Sequence, residues 1–371
     1  AGLEEGFDAL LRADGLRETK TALLDQLLNL DIIGGDMRST LDIKLQKTLF
    51  DAMQGHQGAA LVAHVPSGEV LAMVSVPTYD PNQPAALRAM LDEQENGDFD
   101  PEKPPDTRLL NRVTAGRYQP GGALETLILS AMLAGGSTLD DTVLLQSVTL
   151  ADPALDLDCT LPPGDENTLR NAYLSGCPAP FVGALDGRLT PAALEELFRA
   201  AGLQDAPILN GFLMPEAPIE PGPDTNNLTA EAAGQGALTV KPLHLIQVIA
   251  AVVNEGRGIP LHLADATRYP GDGEWQSLSP GNSTLAMMQP LIAQQIENTL
   301  RERDFSDDRI FADNRGFSED DTPIYGHISR AFAGEREYIW FLGWTPLSDG
   351  TDAVIVVVLE SPEGMLTPDD V

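Results

Sequence analysis

Lysine is scarce in this chain. There are five, Lys20, Lys44, Lys47, Lys103 and Lys241, and none stands three positions after a serine. A serine hydroxyl becomes a nucleophile when a base lies within hydrogen-bond reach, and on a helix residues i and i+3 share a face. No such Ser-x-x-Lys pair is encoded anywhere. Histidine is as sparse: His56, His64, His244, His262 and His327. None sits in an HExxH arrangement or at ligand spacing from Asp, Glu or Cys, so no metal site is expected. A GxSxG elbow is missing, which removes the anchor for an α/β-hydrolase reading. Gly234-Gln235-Gly236 lacks the third glycine of a dinucleotide fingerprint and does not follow a strand-like run, so no cofactor is expected. There is no run of 18 apolar residues and no charged-then-apolar leader. The chain opens abruptly on Ala1-Gly2-Leu3-Glu4-Glu5, which reads as the trimmed soluble part of a longer protein.

What the chain has in excess is negative charge. Its 56 acidic against 23 basic side chains give a formal net charge of -33. Such a surface repels phosphate backbones and anionic lipid heads, so nucleic acid is not an expected partner. A well-solvated acidic surface and a docking face for a basic partner both fit this charge. At 371 residues the chain is long enough for one large domain with a short extra segment or for two modest domains, and its 43% of hydrophobic residues is enough for a sizeable core. The two cysteines, Cys159 and Cys177, match no zinc or CxxC redox spacing, which leaves a structural disulfide or two buried thiols.

Periodicity predicts the order of elements. Leu3 to about Leu30 alternates apolar and charged residues at helical spacing, and Thr40 to Met53 reads as an amphipathic helix after a short extended lead-in. Two strand-like runs, Ala59 to His64 and Glu69 to Val76, are joined by the turn Val65-Pro66-Ser67-Gly68. Residues 77 to 108 read as a long surface loop with a helical stretch around Ala85 to Glu95. Further helices are predicted at Gly121 to Leu133, Thr168 to Leu174, Pro191 to Ala201, Lys241 to Asn254 and Thr284 to Arg301, with loops at 150 to 166 and 214 to 227. The C-terminal part switches to strands at Ile324 to Phe332, Tyr338 to Trp344 and Ala353 to Leu359. A hairpin, a helical middle and a three-strand end argue an α+β domain whose antiparallel sheet takes strands from both ends of the chain.

Several stretches match a known family in its own order. Gly2-Leu3-Glu4-Glu5-Gly6-Phe7-Asp8 resembles the signature that precedes the transpeptidase domain of class B penicillin-binding proteins, and Leu41-Asp42-Ile43-Lys44-Leu45-Gln46 resembles that domain's "TID..LQ". The run Gly68-Glu69-Val70-Leu71-Ala72-Met73-Val74-Ser75-Val76-Pro77-Thr78-Tyr79-Asp80-Pro81-Asn82 is close to "GEILAMVS.PTYDPN" and is the most specific match. Asn111-Arg112 and Tyr118-Gln119-Pro120-Gly121 resemble the approach to the nucleophile. Gly234-Gln235-Gly236 with Lys241-Pro242-Leu243 resembles "GQG....TPL", Asn254-Glu255-Gly256 resembles "NGG", and Trp340-Phe341-Leu342-Gly343-Trp344 resembles the "WFVGF" strand beside the active site. The resemblance implies a penicillin-binding protein/serine β-lactamase-like fold: a five-stranded antiparallel sheet flanked by helices, beside a mostly helical subdomain. It divides the chain into a remnant of the class B N-terminal module over 1–37 and a transpeptidase-like domain over 38–371. Within the latter, a helical subdomain occupies roughly 84–240.

The departures fall on the reactive groups. The family uses SxxK, with a serine acyl nucleophile and a lysine base, then SxN, then KTG on a strand. The serine position here is Gly122 and the lysine position Glu125. Counting back from Phe181, the SxN slots are Gly176, Cys177 and Pro178, without hydroxyl or amide. The KTG strand reads Gly326-His327-Ile328-Ser329, with His327 in place of lysine and Ile328 in place of threonine. The expected function is therefore a catalytically inactive relative of a D,D-transpeptidase, a scaffold or partner-binding component of peptidoglycan assembly. Two alternatives are a hydrolase or transferase built on Glu125 and His327 as a new acid/base pair, and a non-covalent sensor of peptidoglycan stem peptides or β-lactams. The implied partners are other cell-wall synthesis, division or elongation proteins. The implied location is the periplasm or the outer face of the cell membrane, with an anchor outside this sequence. The family's cysteine upstream of its SCN makes a Cys159–Cys177 bridge fit that oxidising location.

Overall fold

The computed structural model describes residues 3–12, 34–96, 107–184, 189–212, 223–224, 227–269, 274–281, 284–306 and 322–362. Its centre is a five-stranded antiparallel sheet in the order β3-β2-β10-β9-β8. β2 (Gly58–Val65) and β3 (Val70–Val76) form the early hairpin, and β8 (Tyr325–Ala333), β9 (Arg336–Pro346) and β10 (Asp352–Pro362) form the late meander. The two ends of the chain meet where β10 pairs with β2, from Asp352 opposite Val65 to Leu359 opposite Gly58. Sequence explains this central seam. β2 is almost wholly buried, and β10 carries the unbroken run Ala353 to Leu359, the pattern of strands covered on both faces.

The two faces are covered by different helices. α1 (Ile43–Ala52), capped by the Asp42 carboxylate accepting from the Lys44 and Leu45 amides, lies along β3. Its Leu45, Leu49 and Phe50 close that side with Val74, Val76, Phe341 and Val357. α2 (Pro84–Asn96) borders a groove that it shares with Gln46 and Phe50 of α1, and the opposite side is covered by later helices: α3 (Glu125–Ala134), α4 (Leu169–Leu174), α5 (Ala179–Gly183), α6 (Pro191–Ala200), α7 (Pro242–Val253) and α8 (Pro290–Leu300). α7 packs on β2, β9 and β10 and is buried from Pro242 to Leu245. α3 is buried from Glu125 through Ser130, which makes it an interior helix rather than an amphipathic one. This is the α+β architecture that the sequence predicts.

Three expectations need correction. The helix expected from Thr284 begins at Pro290, because residues 285–287 are engaged in extended pairing with 256–258. Leu285 accepts from the Gly258 amide at 2.9 Å, and Met287 donates to Gly256 at 2.8 Å. The loop expected at 150–166 contains the second strand of a small hairpin, β4 (Val148–Ala151) with β5 (Ala154–Leu157). The domain boundary expected after residue 37 falls inside β1 (Asp36–Ser39), which pairs with β6 (Ala264–Arg268). The cross-strand pairs Arg38–Asp265 at 2.7 Å and Arg268–Asp36 at 2.6 Å flank that register. Of the helical run expected from Leu3 to Leu30, Leu3–Gly6 and Asp8–Leu11 are helical, and the part from 13 to 30 lies outside the described residues.

The segment leading to the site is fastened to the sheet. Arg112, 1% exposed, donates from Nε to Glu360 on β10 at 2.5 Å and from its other nitrogens to Thr107. The Tyr118 amide donates to Val240 at 3.0 Å, and Trp340 Nε1 donates to the Gln119 carbonyl at 3.1 Å. Pro120 is thereby held over the face of β9.

Candidate active site

A single 3-10 turn, Gly121–Leu124, carries the chain into α3. Gly121 takes φ +51, a left-handed conformation that glycine adopts without penalty. A Cβ there would lie 2.1 Å from the Arg330 carbonyl, so the turn sits directly against β8. That approach brings Gly122 and Glu125 over the middle of the strand. His327 and Ser329 alternate with Ile328 along β8 and point to the same side of the sheet.

The geometry is close-packed. The His327 Nε2–H donates to the Gly122 carbonyl at 3.1 Å, and Glu125 Oε2 lies 3.3 Å from the same nitrogen. The carbonyl can only accept, so Nε2 carries a proton. Tyr173 of α4 stacks on the imidazole with ring centroids 4.6 Å apart and planes 11° apart, and its hydroxyl bonds Thr126 Oγ1 at 2.8 Å. Glu125 is 2% exposed and His327 1%. Burial raises the Glu125 carboxyl above its ordinary range, opposed by the neighbouring His327. Burial also raises the Tyr173 phenol, so it stays protonated at every physiological pH. Three buried polar atoms, Glu125 Oε2, His327 Nδ1 and Ser329 Oγ, have no hydrogen-bond partner.

The turn is tight against β8 at Gly122. A Cβ on Gly122 would lie 2.8 Å from Ser329 Cβ and 3.0 Å from Glu125 Oε1. Ser329 Cβ is fixed to a paired strand, so a side chain at 122 requires β8 to move. The SxN-slot segment approaches the same strand from its edge. Gly176 takes φ +57, and a Cβ there would lie 2.6 Å from the Ile328 carbonyl. Cys177 and Cys159 are joined by a disulfide. Pro178 starts α5.

The structure thus brings Gly122, Glu125, His327 and Ser329 together, with Gly176 against the strand edge. It does not bring Ile328 into that group: its side chain packs on the other face with Met53, Ile339 and Phe341. Tyr173 was missed by sequence reasoning. Its signal was available only as an aromatic in a short helix just before the SxN slots. Open grooves lie elsewhere. One of about 790 Å³ is lined by Met73, Tyr79, Leu87, Leu110 and Phe212, and another of about 460 Å³ by Ser130, Arg257 and Met287. Neither takes Gly122, Glu125, His327 or Ser329 into its lining. Among the described residues no group of three or more His, Cys, Asp or Glu is placed to hold a metal ion.

A five-stranded sheet with an interior helix delivering its first turn to the edge strand defines the transpeptidase class of α+β folds. The sequence pattern of the penicillin binding protein transpeptidase domain matches residues 58–310, and the chain belongs to that family. It is 27% identical to the peptidoglycan D,D-transpeptidase PbpA of Mycolicibacterium smegmatis, over 96% of this chain and 74% of that one. It is 30% identical to PbpA of Mycobacterium tuberculosis over 72% of this chain, and that alignment spans 56% of the relative's length. Among solved structures, penicillin-binding protein A of M. tuberculosis in an imipenem acyl-enzyme complex superposes with a TM-score of 0.77 at 24% identity. It covers 96% of this chain and 82% of its own, which establishes the shared fold. The family match ends before β8, so the place of His327 is set by the sheet order rather than by that pattern.

Proposed function

We propose that this domain has left acyl transfer and serves as a scaffold or partner-binding component of peptidoglycan assembly. The observation that carries the reading is Gly122. The position that would supply the nucleophile has no side chain, and Ser329 stands 2.8 Å from where its Cβ would be. The relatives are named D,D-transpeptidases and a solved neighbour is an acyl-enzyme complex, and the family resemblance implies a serine ester as that acyl link. An ester of that kind needs a hydroxyl, which Gly122 lacks, and a base, which a carboxyl beside a histidine does not replace at the lysine position. The retained framework supports a role for the fold itself.

A remodelled acid/base site would need Glu125 and His327 to meet solvent, and their burial favours the scaffold reading. A non-covalent sensor would need a cation to hold a substrate carboxylate at the KTG strand, where a buried histidine already bonded to Gly122 stands instead. The expected setting is outside the cytoplasm, where the Cys159–Cys177 disulfide is stable. The expected partners are other proteins of wall synthesis, division or elongation, met through the acidic surface or through an anchor beyond this sequence. The test is incubation with a fluorescent penicillin followed by denaturing electrophoresis. No covalent band is expected, and a stable band on this chain would overturn the proposal.

A further inference from the structure

The charge state of the filled cleft has a consequence beyond the loss of acylation. Glu125 on the first turn of α3 and His327 on β8 are the two titratable groups in contact across the joint between helix and sheet. The other groups facing them are the Tyr173 phenol, which stays protonated, the Gly122 carbonyl and the Ser329 hydroxyl. None of these is a counter-ion.

We propose that Glu125 and His327 form a proton-operated latch, which holds the cleft shut while the pair shares one ionisable proton and loosens when that proton leaves. The inference deepens the proposed function, since it rests on the reading of this cleft as closed and non-acylating.

The argument is a count of protons in a site closed to water. With one proton the pair is neutral overall, either as carboxylic acid beside imidazole or as carboxylate beside imidazolium. With none, a carboxylate is buried beside a neutral ring and a carbonyl oxygen, with no positive charge to balance it. With two, the ring is an imidazolium whose Nδ1–H has no acceptor, because Nδ1 is buried and unpartnered. The closed joint therefore favours the one-proton state. Once the joint opens, water solvates both groups, the carboxyl ionises near about 4.3 and the imidazole near about 6.5.

The direction with pH follows. Between those two values the open and closed forms both hold one proton, and the balance between them does not change. Above about 6.5 the open form has lost its proton while the closed form keeps it, so rising pH favours opening by up to about tenfold per pH unit. The raised carboxyl of Glu125 agrees in sign: burial favours its protonated form, and that support for closure is lost as pH climbs through its raised value. In strong acid the open form takes up a second proton that the closed form resists, and closure weakens again. The latch is tightest in mild acid.

The experiment is amide hydrogen exchange over residues 326–331 and 169–177 from pH 6 to 9, each rate normalised to the intrinsic exchange at that pH. The wild-type chain is compared with Glu125→Gln, which keeps the shape and cannot titrate. Protection in the wild type is expected to fall by up to about tenfold per pH unit above about 6.5, with the variant flat. A flat wild type, or a parallel loss in both proteins, overturns the latch. If Glu125→Gln does not fold, carbon NMR of the wild-type Glu125 carboxyl and His327 ring decides. Retention of one shared proton above pH 7 supports the latch, and two independent titrations at aqueous values reject it. Fluorescent penicillin applied at pH 6 and pH 9 separates the two proposals. A covalent band sinks the non-acylating reading while leaving the exchange result to judge the latch.

Discussion

His327 Nε2 and the carbonyl of Gly122 are joined at 3.1 Å, so β8 is tied to the turn that enters α3 through two positions that the sequence resemblance sets against the family's strand lysine and nucleophile. A lysine reaches out of such a strand, whereas a planar imidazole bonded to backbone and stacked under Tyr173 fills it. The replacements at 122, 125 and 327 form one packed unit and are expected to respond to mutation as one.

Restoring a serine tests that unit. Gly122→Ser is expected to remain unlabelled by fluorescent penicillin, because Glu125 is no lysine and the cleft is filled. The added side chain overlaps Ser329 Cβ, and overpacking of this kind costs about 1–3 kcal/mol, read as a fall in thermal midpoint or urea stability. The double variant Gly122→Ser/Ser329→Gly relieves the clash and is expected to regain part of that loss.

Truncating one partner of the buried pair should cost more than neutralising the other. His327→Ala leaves the Glu125 carboxyl buried without its neighbouring imidazole and removes the ring on which Tyr173 stacks. A loss of about 3–5 kcal/mol is expected, as when a buried pair loses one member. Glu125→Gln, neutral and isosteric, is expected to lose less than half of that at pH 6. Equal losses in urea denaturation would contradict the account.

How much of this was legible in the sequence depends on what fixes each feature. The five strands announced themselves because a strand covered on both faces must be apolar along its length, as β2 and β10 are. β4 with β5 was hidden because Leu150, Leu155 and Leu157 are spread among Asp152, Asp156 and Asp158, whose composition reads as loop. The start of α8 was misplaced because Thr284 to Gln289 has helical composition, while its backbone bonds go to residues 256–258. At the site, the absence of any Ser-x-x-Lys was plain from residue types alone, whereas the grouping of positions 122, 125 and 327 was legible only through the family resemblance. Burial was not. That Glu125 and His327 are sealed from solvent depends on Tyr173 and on the segment around Gly176, which reach the same strand from more than a hundred residues away in sequence.

The two arginines on Glu360 separate a buried from an exposed ion pair. Arg112 is 1% exposed and bonds Glu360 at 2.5 Å, while the Arg336 side chain is 55% exposed and stands 3.2 Å from the other oxygen. Arg112→Ala is expected to cost about 3–5 kcal/mol. Arg336→Ala is expected to cost about 1 kcal/mol or less and to lose that small effect in high salt. Chemical denaturation at two ionic strengths checks both.

Removing the Cys159–Cys177 bridge frees a loop with a sequence separation of 18. The chain-entropy account puts the cost at about 3 kcal/mol for a loop of this size. Reduction, or the double change to alanine, is expected to lower the thermal midpoint and to raise amide exchange at 175–177, beside the Ile328 carbonyl. An unchanged midpoint would mean that packing alone holds the segment on β8.

The seam between β2 and β10 also governs the order in which the chain can complete itself. On a ribosome or a translocation channel, β2 and β3 emerge early and pair at once, but the other edge of β2 has no partner until the final strand arrives. Through that interval a strand that is apolar but for His64 keeps an open row of backbone donors and acceptors, the kind of edge that other chains can join. The sheet cannot close by local steps, because its central contact has nearly the longest sequence separation available to the described residues. A nascent chain stopped short of Asp352 would therefore lose a solubility safeguard along with one strand. Whatever meets this protein during its synthesis must be able to shield that edge.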